Sequence, residues 1–183
     1  MAAKLSMFVA MENPSPQSER AAHFAAIRAR KKAEAEAVGV DEAFIAMLVD
    51  RFYTRIRHDA LLGPIFAARV SDWDTHLPRM KAFWRSILHN SGEFSGSPMA
   101  KHVVLPGLEQ HHFAHWLDLF YATLRELATH PDAAAMVGER ARMIADSLLT
   151  GYLMQRDGLA ARRAGETLPR IAQAVSGGAA DPG

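Results

Sequence analysis

The sequence contains no cysteine among its 183 residues. This absence excludes disulfide bonds, zinc–thiolate sites, iron–sulfur ligation and the C-x-x-C-H attachment of a c-type haem. A cofactor bound by this chain is therefore held without a bond to sulfur from cysteine.

An excess of charge and a long apolar run are also lacking. Lys and Arg number 21 against 20 Asp and Glu, which leaves a formal charge of +1 and no electrostatic footprint for nucleic acid or an anionic membrane. No run reaches the roughly 20 apolar residues that a membrane span needs. The apolar stretch at residues 5–11 contains Ser6 and lacks an A-x-A cleavage pattern, so it is not interpreted as a signal peptide. We expect a cytoplasmic protein without nucleic-acid or membrane partners.

Several catalytic fingerprints are missing as well. The chain has no P-loop, no dinucleotide-binding glycine pattern, no G-x-S-x-G elbow and no thiol nucleophile, so the common kinase, transferase and hydrolase templates lack support. No alternating strand pattern and no internal repeat is visible. With 49% hydrophobic residues, the chain is long enough for one all-α domain with a real core.

Four amphipathic helices are predicted from apolar residues that recur every three or four positions. The first starts at a plausible N-cap, Asp41, and the others cover residues 73–88, 113–127 and 133–156. Gly63-Pro64 ends the first pattern and leaves Ile65 and Phe66 on a short connection. A brief helical turn carrying His102 follows the Gly/Ser-rich residues 91–97.

Two extensions flank this unit. Residues 19–37 predict an Ala-rich, charged helix exposed to solvent, and residues 162–183 predict a mobile tail rich in Ala, Gly and charge. We therefore divide the chain into an N-terminal extension (1–38), a helical domain (39–158) and a flexible C-terminal tail (159–183).

Two histidines are candidates for cofactor chemistry. His76 interrupts an otherwise apolar helical stripe, and His102 lies on a short element that packing alone does not require. A lone inward histidine is more often a hydrogen-bonded core residue than a ligand. Haem nevertheless suits these residues, because it needs an apolar aromatic slot and a neutral imidazole on iron. Tyr53, His76 and Trp116 share inward helix faces and could donate hydrogen bonds to a ligand on the iron.

The other histidines allow simpler interpretations. His111, His112 and His115 crowd the start of the Trp116 helix, and His111 with His115 has the i, i+4 spacing of a metal chelate. No third ligand is evident, so capping or solvation of the helix start is favoured for these histidines. Contact of His115 with a haem propionate is an alternative. The remaining four lie beside helix ends or in the solvated helix and are expected at the surface: His23, His58, His89 and His130.

One set of motifs covers most of the predicted domain in a fixed order. Its members are Phe52-Tyr53, Leu62-Gly63-Pro64-Ile65-Phe66, Trp73-Asp74-Thr75-His76, Phe83-Trp84, Pro98-Met99 through His102 to Leu105-Pro106, and His112-Phe113 with Trp116-Leu117 and Leu119-Phe120. In this order and spacing, residues 41–156 resemble the truncated haemoglobins of group III. The terminal extensions have no counterpart in the minimal family pattern.

The resemblance implies a two-over-two helical sandwich around haem, with His102 as the proximal iron ligand. It also implies a distal polar set of Tyr53, His76 and Trp116. The haem slot would be lined by Phe66, Met80, Phe83 and Phe113.

The function implied is reversible binding of oxygen, nitric oxide or carbon monoxide at a pentacoordinate iron of non-covalent haem b, in a monomer or weak dimer. An enzyme with peroxidase-like or nitric oxide dioxygenase activity is the alternative. It would need an external reductase, because the chain has no flavin or nicotinamide fingerprint. A third possibility is a haem-free interaction module that docks through the basic residues Arg28, Arg30, Lys31 and Lys32.

Overall fold

The structure is a computed structural model that describes residues 15–158 and 168–171. All regular elements in these residues are α-helices: α1 (Pro16–Ala37), α2 (Glu42–His58), α3 (Leu62–Ala67), α4 (Trp73–Leu88), α5 (Pro98–His102), α6 (Gln110–Leu127) and α7 (Pro131–Asp157). The predicted all-α class is confirmed. None of the helices in the described ranges combines the length and apolar character needed to cross a bilayer. The apolar stretch at residues 5–11 lies outside the described residues.

Side-chain caps determine where the functional helices begin. The Asp41 carboxylate accepts a hydrogen bond from the Phe44 N–H at 2.7 Å, as the sequence predicts. Asp72 caps α4 in the same way, and the Ser97 hydroxyl caps α5. Each cap satisfies an N–H group that the first helical turn leaves without a backbone partner. These caps fix the starting points of α2, α4 and α5, and hence the helical positions of Tyr53, His76 and His102.

The helices form two layers. α2 packs on α4, α6 packs on α7, and the two pairs meet through the contacts of α2 with α6 and of α4 with α7. This arrangement is the predicted two-over-two sandwich. α3 lies on α2, and α5 lies on α7. The largest fully buried side chains between the layers come mainly from α2, α6 and α7: Ile45, Leu48, Phe52, Ile56, Leu117, Phe120, Tyr121, Leu124, Val137 and Leu149.

The connection after α2 differs from its prediction, because it folds into the helix α3. The Asp59 carboxylate accepts hydrogen bonds from the N–H groups of Leu61 at 3.0 Å and Leu62 at 2.8 Å, which supports the first turn. Pro64 lies in that first turn, where N–H groups have no backbone partner within the helix. The N–H that proline lacks therefore costs no helical hydrogen bond. The Gly-Pro pair therefore marks the end of α2 and is compatible with a new helix.

The charged N-terminal helix is confirmed as α1, beginning at Pro16 rather than at residue 19. Throughout α1, which the structure describes in full, Ala35 is the buried residue and the other side chains are exposed or half-buried. Two of its lysines form ion pairs within the chain, Lys31 with Glu34 and Lys32 with Glu42.

The prediction of a mobile C-terminal tail is wrong for residues 168–171. Leu168 is buried, and the Tyr121 hydroxyl donates a hydrogen bond to the Pro169 carbonyl at 3.0 Å. Ile171 packs on Gly138 so closely that a Cβ there would lie 2.9 Å from the isoleucine Cδ1. The composition of the whole tail hides the apolar residues Leu168 and Ile171. The rest of the predicted tail, residues 159–167 and 172–183, lies outside the described residues.

His89 is also a correction, because it is 2% exposed rather than a surface group. It follows α4, and its Nε2 lies 2.7 Å from the carbonyl oxygen of Val40, just before α2. This hydrogen bond satisfies the buried imidazole and joins the end of one helix to the start of another. The other histidines predicted at the surface, His23, His58 and His130, are exposed.

Candidate functional site

His102 occupies the last position of α5 and is half-buried. Its Nδ1 lies 2.8 Å from the carbonyl oxygen of Pro98, one turn earlier. A carbonyl only accepts, so Nδ1 carries the proton and donates it, and Nε2 keeps its lone pair. Metal-bound histidines are usually oriented in this way by a carbonyl or carboxylate on the second ring nitrogen. This tautomer would allow His102 to hold a metal through Nε2.

The position of α5 depends on a glycine that sequence reasoning missed. Met99, three residues before His102, packs on Gly151 of α7. A Cβ at position 151 would lie 2.5 Å from the Met99 Cε and closer still to its sulfur. A glycine inside an amphipathic helix pattern is the signal that could have indicated this close approach.

Tyr53 and His76 lie side by side, as predicted for members of one polar set. Their ring centroids are 5.3 Å apart at 86°, an edge-to-face contact that joins α2 to α4. Phe66 of α3 contacts the same tyrosine at 6.0 Å. Burial raises the pKa of the Tyr53 phenol, so its hydroxyl stays protonated and can donate a hydrogen bond.

The His76 ring carries a buried polar atom without a partner. Its Nε2 has no hydrogen-bond partner in the residues that the structure describes. Burial lowers the pKa of the imidazole, and the nearby charge of Arg79 lowers it further, so His76 is neutral at pH 7. A buried polar atom of this kind is costly unless a partner is supplied, and a ligand is one source of that partner.

Trp116 reaches the same region through one intermediate ring. Its indole lies 5.2 Å from Phe52, which contacts Tyr53 at the same centroid distance. On its other side Trp116 stacks on Phe120 at an interplanar angle of 11°. The structure therefore brings Tyr53 and His76 into direct contact and places Trp116 one ring away.

The residues expected to line a haem slot differ in how deeply they are buried. Phe66, Met80 and Phe83 are half-buried, whereas Phe113 belongs to the buried core. Phe83 contacts Phe94, a loop residue that sequence reasoning missed, at 5.1 Å. Half-exposed large apolar side chains, two of them on the helix that carries the unpartnered His76 nitrogen, fit a flat apolar group with a polar centre. These residues therefore fit haem.

His102 stays separate from the distal residues. Within the described ranges, no ring contact or hydrogen bond joins it to Tyr53, His76 or Trp116. A cavity of about 300 Å³ opens beside the segment that follows His102, and its walls are Val103, Val104, Leu105, Pro106, Tyr152, Gln155 and Arg156. This cavity contains none of the predicted distal residues, so it is distinct from the region around His76.

The histidines at the start of α6 have structural partners. The Glu109 N–H donates to Nδ1 of His112 at 3.0 Å, which confirms the predicted capping for His112. No cluster of three potential metal ligands occurs in the described residues. His115 is directed to Asp59, with Nε2 2.8 Å from a carboxylate oxygen.

The Asp59 carboxylate links α6 to the start of α3. Burial alone would raise its pKa, but hydrogen bonds from the Leu62 N–H, His115 and the Leu61 N–H outweigh burial and lower it. Asp59 is therefore ionised at neutral pH and supports both the α3 turn that leads to Phe66 and the helix that carries Trp116.

Comparison with known proteins identifies the family. The family model described as bacterial-like globin matches residues 35–148. The group 3 truncated hemoglobin ctb of Campylobacter jejuni is 36% identical over 110 residues, which cover 58% of this chain and 86% of that protein. The crystal structure of group III truncated hemoglobin from the same species matches with a TM-score of 0.56 and 34% identity, covering 60% of this chain and 88% of that one. The chain therefore belongs to the bacterial-like globins, as a group III truncated haemoglobin, a family of haem proteins that bind gases.

Proposed function

We propose that this globin holds haem b through Nε2 of His102 and reversibly binds oxygen, nitric oxide or carbon monoxide at a pentacoordinate iron. When bound, haem would supply an iron atom able to coordinate both an imidazole and a diatomic gas. The observation that carries the proposal is the His102 ring, since the Pro98 carbonyl holds Nδ1 and leaves Nε2 as the ligating atom.

The distal residues would retain the gas. Tyr53 keeps its proton because of burial, His76 has an unpartnered buried nitrogen, and Trp116 provides an indole N–H. Hydrogen bonds donated in a dry pocket are stronger than the same bonds in water. We therefore propose slow release of oxygen, which suits retention or chemistry better than delivery. His76 would also act as the gate of the pocket by turning inward or outward.

The surrounding apolar side chains would hold the porphyrin and exclude water. We assign this role to Phe66, Met80, Phe83 and Phe113. The globin unit would comprise residues 39–158, between extensions at 1–38 and 159–183, and would work as a monomer or weak dimer in the cytoplasm.

An enzymatic function is the second candidate, and the neutral state of His76 favours it. A neutral imidazole with an unpartnered nitrogen has a lone pair that can take up a proton, and the protonated Tyr53 hydroxyl beside it can donate a hydrogen bond. These two groups would serve peroxidase-like chemistry or oxidation of nitric oxide to nitrate, with electrons from an external reductase. Turnover with nitric oxide and a reductant, set against the oxygen dissociation rate, discriminates the enzyme from the carrier.

The primary test is the visible absorption spectrum of the ferric, ferrous and carbon monoxide forms. We expect wild-type protein to show haem bands, His102→Gly to lose the imidazole-ligated spectrum, and added imidazole to restore it. His58→Gly is the matched control, because His58 is exposed on α2 and its substitution should leave the spectrum unchanged. A His102→Gly variant with the wild-type spectrum would contradict the assigned ligand, and a colourless wild type would contradict haem binding.

A further inference from the structure

Trp73 stands between the distal pair and a cation at the surface. It is the first residue of α4 and is half-buried, and its ring lies 5.5 Å from His76 and 5.9 Å from Tyr53. On α2, the exposed Arg57 places its guanidinium carbon 5.1 Å from the centroid of the same indole. The four side chains, Arg57, Trp73, His76 and Tyr53, form a continuous cluster that runs from solvent to the distal residues.

The helix start holds the indole in this place. The Asp72 carboxylate accepts from the Thr75 N–H at 3.1 Å and from the Thr75 hydroxyl at 2.6 Å. Trp73 and His76 are three residues apart and therefore lie on the same face of α4. Tyr53 and Arg57 are four residues apart on α2, so one face of each helix contributes to this cluster.

This cluster explains why the His76 ring stays turned inward although its buried Nε2 has no hydrogen-bond partner among the described residues. An imidazole so placed gains from turning outward to water, because a buried polar atom without a hydrogen bond is unfavourable. Edge-to-face contacts with Trp73 at 83° and with Tyr53 at 86° oppose that movement. Arg57 in turn attracts the face of the Trp73 indole, which stabilises the indole against displacement.

We propose that Trp73, held by Arg57, is a positioning residue that keeps His76 turned inward and thereby sets how fast a diatomic gas enters. The inference rests on the proposed gas-binding function and adds to it a residue that regulates gas entry without contacting the gas. Arg57 has no ion pair among the described residues, and its cation is therefore available to the indole.

The test measures carbon monoxide rebinding to the full-length haem protein after flash photolysis. Loss of one aromatic pair corresponds to a change of about fivefold, so we expect Trp73→Leu to raise the association rate by about that factor. Arg57→Gln should raise it about twofold, and Arg57→Lys should retain the wild-type rate because it keeps the cation. Arg51→Gln, at another exposed arginine of α2, is the matched control and should have no effect.

Two further measurements separate positioning from a simple widening of the entrance. In a His76→Leu background, Trp73→Leu should leave the association rate nearly unchanged, because the residue through which Trp73 acts is absent. By NMR titration of the carbon monoxide form, the pKa of His76 should rise towards its ordinary value of 6.5 in Trp73→Leu. That rise follows because burial is the main cause of its lowered pKa, and the charge of Arg79 remains.

The outcomes are distinguishable. Arg57→Gln removes no buried group, so it tests the proposal even if Trp73→Leu does not fold. A wild-type haem spectrum, with rebinding unchanged in both variants and an unchanged His76 pKa, overturns this inference alone. Acceleration by Trp73→Leu that persists in the His76→Leu background also overturns it. A wild type that binds no haem overturns the proposed function and this inference with it.

Discussion

Replacing Gly151 with alanine tests how α5, and with it His102, is held against α7. The new Cβ would lie 2.5 Å from the Met99 Cε, whereas carbon atoms in contact are about 3.5–4.0 Å apart. The methionine end must therefore move by more than about 1 Å, at an overpacking cost of about 1–3 kcal/mol. Alanine in place of glycine stabilises a helix interior by about 0.5–1 kcal/mol. We expect a net loss of about 1 kcal/mol in the free energy of unfolding, or about 2–4 °C in Tm.

A double-mutant cycle with Met99→Ala isolates the contact. In that background the obstructing side chain is gone, so Gly151→Ala should stabilise the protein by about 0.5–1 kcal/mol through helix propensity alone. The sign of the Gly151→Ala effect should thus reverse, with a coupling energy of about 1.5–2 kcal/mol between the two sites. Urea unfolding monitored by circular dichroism measures all four variants. Equal effects of Gly151→Ala in both backgrounds would refute the close approach of α5 to α7.

Three other predictions concern contacts at a distance from α5. Tyr121→Phe removes the hydrogen bond to the Pro169 carbonyl and should lower the free energy of unfolding by about 1 kcal/mol; an unchanged urea midpoint would show that residues 168–171 do not pack there. Asp59→Ala removes the acceptor for the first α3 turn and for His115, so a loss of about 1 kcal/mol is expected at pH 7. Because the folded-state pKa of Asp59 is lowered, its contribution is complete above 3.8 and is lost as the pH falls through that lower pKa, and the two proteins should converge in acid. The pKa of His76 is also lowered on folding, so its contribution is complete above 6.5 and is lost as the pH falls through the folded value; His76→Leu should flatten the decline of stability as the pH falls below 6.5, and an unaltered decline would contradict the burial of this ring.

The helices and the positions of two candidate histidines could be predicted because their signals are local. The cap at Asp41, the apolar stripe of residues 73–88 and the short turn that carries His102 are each encoded within a few consecutive residues. The 3.6-residue period also predicted that Tyr53 and His76 face inward, where the structure places them in contact. The order of the motifs, rather than any one residue, indicated the family.

Short apolar segments and connections were harder to predict. Gly63-Pro64 has the composition of a break, and the carboxylate of Asp59 turns it into the start of α3. Leu168 and Ile171 are two apolar residues in a stretch dominated by Ala, Gly and charge, so a compositional average hides them. Their placement depends on distant residues, since Ile171 packs on Gly138 and the Tyr121 hydroxyl binds the Pro169 carbonyl between them.

The sequence by itself determined the class of fold, the places where the main helices begin, and the residue types able to hold a haem. Tertiary structure alone decided the partners of His89 and His115. His89 bonds to Val40 across 49 residues of chain, and His115 bonds to Asp59 across 56. The physical reason is that caps and helical periodicity act over one or two turns, whereas these partners meet only after separate helices have packed.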